Sequence, residues 1–132
     1  MTQRTVAIAC DHAGFALKSL LKSELEQAGH AVVDLGTNSV DSVDYPDFGH
    51  AMAAAIGEGR ADTGVLVCGS GIGISIAANR HPEVRAALVH DALGARMSRL
   101  QEVAKDCLKI FLDTEFEGGR HARRVAKLDP SA

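Results

Sequence analysis

The stretch "TGVLVCGSGIGISIAAN", Thr63 to Asn79, decides the fold. Thr63 to Cys68 is a short apolar run with no polar alternation, the pattern of a strand covered on both faces of a parallel sheet. Gly69, Gly71 and Gly73 come at once after it, and Ile72 to Arg80 then reads as a helix. Strand, glycine turn and helix together form the repeating unit of an α/β domain.

Moving outward, the unit recurs. "TVAIAC" (Thr5 to Cys10) is a buried strand, "DHAG" a turn, and Phe15 to Ala28 a helix with apolar residues at mixed three- and four-residue spacings. Gly29 is placed to stop it. "AVVDLG" (Ala31 to Gly36) is a second strand, and a polar loop leads to an Ala-rich helix from Asp47 to Glu58, opened by Pro46. Beyond Pro82, Val84 to His90 reads as a further strand, Ala92 to Arg99 and Leu100 to Thr114 as helices, and Gly118 to Lys127 as a basic terminal helix. The expectation is one domain over residues 1–132. Its fold is a Rossmann-like open parallel sheet of four strands flanked by helices.

The bulk composition narrows the function. A net charge of −3 gives no global basic field to attract nucleic acid or a membrane surface. No apolar run approaches the length of a membrane span, and the N-terminus lacks a secretory pattern, so the expected location is cytoplasmic. The three cysteines, Cys10, Cys68 and Cys107, form no C-x-x-C pair and match no zinc-ligand spacing. Neither a disulfide framework nor a metal centre is expected.

In an open parallel sheet, ligands bind at the carboxyl ends of the strands. That rim collects Asp11-His12, the Tyr45 loop, Cys68 to Gly73 and His90-Asp91. Glycines between strand and helix let backbone approach a ligand closely, and the helix N-terminus offers unpaired N–H groups to an anion. No Gly-Lys-Ser/Thr is present after the turn, as a P-loop requires, and G-S-G-I-G-I-S is not the dinucleotide G-x-G-x-x-G. The turn alone fits a phosphate, a developing oxyanion or simply tight packing. Cys68, just ahead of that helix, reads either as a small buried residue or as a thiolate able to attack a carbonyl or remove a proton. Cys10 and Cys107 read as core. Asp11-His12 suits sugar hydroxyls and phosphate as well as it suits a helix cap. Arg120 and Arg124, four apart on one helix face, suit a phosphate monoester or a solvated surface. His30, His50 and His81 receive no role, and His90 faces the right rim without a clear one.

Taken together, "CDHAGFALK", "GTNSVDSVDYPD", "VCGSGIGISIAAN" and "EFEGGRHARRV" resemble the ribose-5-phosphate isomerase B family, which includes galactose-6-phosphate isomerase subunits. The resemblance runs along nearly the whole chain in the family's order. It implies a five-stranded Rossmann-like domain, a homodimer or homotetramer with active sites between subunits, and no metal or organic cofactor. It further implies aldose–ketose isomerisation of a phosphorylated sugar, most simply ribose 5-phosphate to ribulose 5-phosphate, as in pentose phosphate metabolism. On this reading Cys68 is the base that moves a proton between C2 and C1. Gly69, Ser70, Gly71, Ile72 and Gly73 form the anion hole for the enediolate, with Ser70 in the family's Thr or Ser position. Asp11 and Tyr45 contact sugar hydroxyls, and His12, Arg120 and Arg124 hold the phosphate, some of them from a neighbouring subunit.

The chain departs from the family pattern at one place. After "ARMSR" the family continues with a His-Asn-Asp loop, a fifth strand and a Gly-x-Arg turn. Here Ser98-Arg99 runs directly into "LQEVAKDCLKIFLD". The resemblance assigns ring opening to that His, enediolate support to the Asn and phosphate binding to the Arg. An isomerase limited to open-chain sugar is therefore one expectation. A sugar-phosphate-binding homologue or partner subunit with impaired catalysis is another. A redox thiol is disfavoured, because no resolving cysteine neighbours Cys68.

Overall fold

The computed structural model describes residues 3–88 and 97–128. Three strands, β1 (Thr5–Cys10), β2 (Ala31–Asp34) and β3 (Thr63–Val67), form one parallel sheet in the order β2-β1-β3. The helices are α1 (Phe15–Gln27), α2 (Tyr45–Gly57), α3 (Ile72–Asn79), α4 (Met97–Asp113) and α5 (Arg120–Ala126), with a short 3₁₀ turn over His12–Gly14. Among the described residues no helix is long and apolar enough to cross a membrane.

β1 is the central strand and its residues from Val6 to Cys10 are fully buried. The two-residue strand period sorts them by size. Val6, Ile8 and Cys10 pack with Leu21 and Leu25 of α1, Val67 of β3, and Leu108 and Leu112 of α4. Ala7 and Ala9 face the other way, onto Met52 and Ala55 of α2. The small side chains let α2 lie close to the sheet, while the larger ones fill the space under α1 and α4. The result is a sheet with helices on both faces, as the apolar strand sequences require.

The expected fourth strand, Val84 to His90, is corrected by the structure. Among the described residues the sheet has three strands, and residues 84–88 form no ladder; Val89 and His90 lie outside the described residues. Asn79, at the end of α3, binds this segment. Its side-chain amide donates to the Ala86 carbonyl at 2.9 Å, and its amide oxygen accepts from the Ala86 N–H at 2.7 Å. Both backbone groups that Ala86 would offer a neighbouring strand are thereby used. Among the described residues, β3 borders a cleft of about 540 Å³, lined in part by Val65, Ala86, Leu88, Ala104, Cys107 and Phe111. Four of the five β3 residues are consequently only half-buried. Cys107, expected in the core, is half-buried at this cleft.

Element boundaries also differ. The second helix begins at Tyr45 rather than Asp47, which takes Tyr45 out of the preceding loop and into the first turn. The two helices read over Ala92 to Arg99 and Leu100 to Thr114 are, within the described residues, one helix from Met97 to Asp113. Its backbone passes through Arg99–Leu100 without interruption, at the position where the family resemblance implies a loop and a strand.

Candidate active site

The carboxyl ends of β1 and β3 lie side by side, with Cys10 paired to Val67 in the register. The next residues of each strand, Asp11 and Cys68, therefore emerge at one rim. The Asp11 N–H donates to the Val67 carbonyl at 3.1 Å and extends the contact between the strands. Asp11 is buried, and its Oδ1 accepts the Gly14 N–H at 3.1 Å, capping the 3₁₀ turn. The capping role read as one option from the sequence is thus present, and it fixes the carboxylate in place.

Cys68 is half-buried. Its Sγ accepts the Gly71 N–H at 3.1 Å, and Ser70 Oγ accepts the Ile72 N–H at 3.2 Å. The first helical bond of α3 runs from the Ser75 N–H to the Gly71 carbonyl. The amides of Gly71 and Ile72 precede that ladder, and two side-chain acceptors of the turn take them up.

Two glycines are required by this geometry. Gly71 is left-handed, with φ of 80°, and a Cβ there would meet Leu88 Cδ1 at 2.7 Å. Any other residue would be strained in backbone, and its Cβ would push the Leu88 side chain aside. A Cβ on Gly73 would lie 2.5 Å from Cε1 of the Tyr45 ring and 2.6 Å from Cζ. Its absence lets the Tyr45 ring rest on the first turn of α3, so the Tyr45 hydroxyl comes to the same turn as the Gly71 and Ile72 amides.

His12 stands next to Asp11, half-buried, with Nδ1 accepting the Val43 N–H at 3.2 Å. The acceptor role of Nδ1 leaves the ring proton on Nε2, which makes Nε2–H the outward donor. Asp11, His12, Tyr45 and Cys68 to Gly73 are thus brought to one rim. Arg120 and Arg124 are not joined to it within the chain: α5 buries no side chain and has no extensive contact with β1, β3 or α3. His90 lies outside the described residues.

Lys18 is a residue that the sequence pattern did not single out. A lysine between leucines on an amphipathic helix reads as solvent-facing, yet Lys18 is 1% exposed. Its spacing from Leu21 and Leu25, three and seven residues on, puts it on the buried stripe of α1, and that spacing was the available signal. Its Nζ donates to Asp34 Oδ1 at 2.8 Å, to the Thr37 carbonyl at 2.5 Å and to Asn38 Oδ1 at 3.2 Å. Burial works to raise the pKa of Asp34, but the hydrogen bonds from Lys18 and from the Gly36 N–H outweigh it and hold the carboxyl below its ordinary value. Cys10, buried and next to Thr37, has its thiol pKa pushed up by desolvation, against a smaller opposing effect of the Lys18 charge. His30, expected to lack a role, is buried, and its Nδ1 accepts the Arg4 N–H at 3.0 Å. His50 and His81 meet at the surface, Nδ1 to Nε2, at 2.7 Å. Among the described residues no three His, Cys, Asp or Glu side chains converge as metal ligands.

Known proteins share this arrangement of sequence and fold. The family model for ribose/galactose isomerase matches residues 6–102. A protein of Rickettsia conorii named putative sugar phosphate isomerase is 38% identical, covering 97% of this chain and 99% of its own. Ribose-5-phosphate isomerase B of Escherichia coli is 36% identical over 92% of each chain. The crystal structure of a ribose 5-phosphate isomerase from Thermotoga maritima superposes with a TM-score of 0.87 at 41% identity, covering 97% of this chain and 99% of that one. The alignment to the Rickettsia protein spans 143 positions, whereas 97% of 132 residues supplies only about 128, so about fifteen of its positions have no counterpart here.

Proposed function

Because this chain belongs to the ribose/galactose isomerase family, we propose that it interconverts an aldose phosphate and its ketose, with ribose 5-phosphate and ribulose 5-phosphate as the pair. The single observation that carries this reading is the Gly71 N–H on Cys68 Sγ, on a turn that also holds Ser70 Oγ and the Tyr45 ring. The Cys68 thiolate takes the C2 proton of the open-chain aldose, and the electron pair moves through C1 to the carbonyl oxygen. The resulting enediolate carries its charge on O1, facing the backbone of Gly69 to Gly73. The hydroxyl proton of O2 passes to O1, and Cys68 returns its own proton to C1, leaving a ketone at C2. As Cys68 takes the proton its sulfur becomes a poorer acceptor, and the Gly71 N–H it held turns to the developing charge on O1. Asp11 and Tyr45 orient the sugar hydroxyls, and His12 offers Nε2–H to the phosphate. Arg120 and Arg124 complete the phosphate site from a second subunit, since α5 of the same chain stands apart from the rim. Phosphate binding remote from C1 and C2 then positions the reacting carbons.

A second reading is favoured by α4. That helix is continuous through Arg99–Leu100, and about fifteen positions of the Rickettsia relative are without counterpart. Both observations support loss of the segment to which the resemblance assigns the ring-opening His. On this reading the site isomerises the open-chain sugar and depends on spontaneous ring opening, or it only binds.

Ketose formation from ribose 5-phosphate, followed by absorbance, tests both. Turnover that saturates at the uncatalysed ring-opening rate supports the open-chain isomerase. Rapid turnover independent of that rate overturns the second reading, and phosphate binding without ketose formation overturns the first.

A further inference from the structure

Proton transfer at Cys68 makes no use of Lys18, the most completely buried charge among the described residues. Lys18 Nζ has three protons and spends them on three acceptors, Asp34 Oδ1, the Thr37 carbonyl and Asn38 Oδ1. The three acceptors lie at the last residue of β2 and on the chain leaving it. That chain crosses the end of β1, where the Cys10 N–H donates to the Gly36 carbonyl at 2.7 Å and the Thr37 N–H to the Cys10 carbonyl at 2.8 Å. It then runs from Asn38 to Asp44 without helix or strand. At its far end the Val43 N–H seats His12 Nδ1, and Tyr45 opens α2. This segment is held at its start by Lys18 and at its end by His12.

An ammonium withdrawn from water costs free energy that an apolar residue at the same place would not. The stripe of Leu21 and Leu25 would accept Met or Leu at position 18 without a polar network. The charge is explained by what it fixes.

We propose that Lys18 is a positioning residue for the phosphate end of the site. By pinning Asp34, Thr37 and Asn38 it sets the path of residues 38–44, and thereby the Val43 amide that selects the Nε2–H form of His12. The proposal rests on His12 as a phosphate donor.

Three measurements on full-length Lys18→Met test it. Nitrogen-15 spectra of the histidine rings read the His12 tautomer directly. Titration with inorganic phosphate reads the anion site without turnover. Kinetics on ribose 5-phosphate separate KM from kcat. The expected result is loss of the single Nε2–H form at His12, phosphate binding weakened by about tenfold, and KM raised by about the same factor with kcat within about threefold. Iodoacetamide modification of Cys68 should proceed at the wild-type rate. In a His12→Ala background, Lys18→Met should add nothing further to KM. An unchanged His12 spectrum and unchanged phosphate binding, with only a lowered Tm, would overturn the proposal and leave Lys18 a purely structural charge.

Should Lys18→Met not fold, Asn38→Ala carries the same test from an exposed position. A shifted His12 tautomer supports the proposal and an unaltered one overturns it. If the wild-type protein makes no ketose yet the variant still changes the His12 spectrum and phosphate binding, the isomerase reading fails and this one stands.

Discussion

Two cysteines end neighbouring strands of the same sheet, one register step apart, and their surroundings are opposite. Cys10 closes the central strand, is fully buried, and points its thiol at the Thr37 carbonyl at 3.8 Å. Burial pushes the pKa of this thiol up, against a smaller opposing effect of the Lys18 charge. Cys68 comes directly after β3, is half-buried, and faces an N–H at the start of a helix. The residues just past each strand end make the difference: Asp11 turns inward to cap a 3₁₀ turn, whereas Gly69 to Gly71 fold the backbone back so that its amide reaches the sulfur.

The largest effect expected from this contrast is on turnover. Cys68→Ala should reduce ketose formation by about three orders of magnitude, within the range known for loss of a general base, with circular dichroism unchanged. Cys10→Ala should leave turnover within about threefold but lower stability by about 1–2 kcal/mol, the cost of a small cavity in a packed core, read by urea denaturation. If the two variants exchanged these phenotypes, the assignment of roles at the rim would be reversed.

Next in size is the turn itself. Gly71→Ala puts a Cβ on a left-handed residue and against Leu88. The amide should swing off Cys68 Sγ, and kcat should fall by about a hundredfold. Gly73→Ala leaves that amide in place but displaces the Tyr45 ring, so it should raise KM by about tenfold and touch kcat less. Steady-state kinetics of the pair would separate charge stabilisation from substrate orientation.

The two strand ends can also be compared by reactivity. Iodoacetamide should label Cys68 in the native protein at least about a hundredfold faster than Cys10, which should react only after unfolding. Peptide mapping by mass spectrometry would read both sites in one experiment. Native labelling of Cys10 at a comparable rate would contradict its burial.

Much of the rim was legible in the sequence because it depends on local signals. Apolar runs ended by Asp11 and by Gly69 mark strand ends, and glycines at alternating positions mark a turn that needs close backbone approach. The illegible parts depend on competition between distant groups. Val84 to Leu88 carries a good strand pattern, but Asn79 takes both hydrogen-bonding groups of Ala86. Residues 97–113 read as parts of two helices, because nothing local tells whether helix-forming stretches on either side of Arg99–Leu100 will join. Lys18 reads as surface because burial of an ammonium depends on acceptors sixteen to twenty residues away. The placement of Arg120 and Arg124 on an α5 that stands apart from the rim is a further feature that no local pattern reveals.

The smallest effect expected concerns acid. Asp34 is held below its ordinary carboxyl pKa by Lys18 and the Gly36 N–H, although burial acts in the other direction. A carboxyl whose folded-state pKa is depressed stabilises the protein fully above its unfolded value, near about 3.9, and loses that contribution as pH falls through the folded value. Stability measured by urea denaturation should therefore decline on acidification below about pH 5. In Asp34→Asn the acid limb should flatten, and stability at pH 7 should be lower by about 2 kcal/mol, the scale of a hydrogen bond to a charged group. The same variant sharpens the comparison of the two cysteines. It loosens the segment that covers Cys10 and does not touch the turn at Cys68, so iodoacetamide labelling should rise at Cys10 and stay constant at Cys68. An equal rise at both would mean that the two strand ends move as one unit rather than as the separate environments their hydrogen bonds describe.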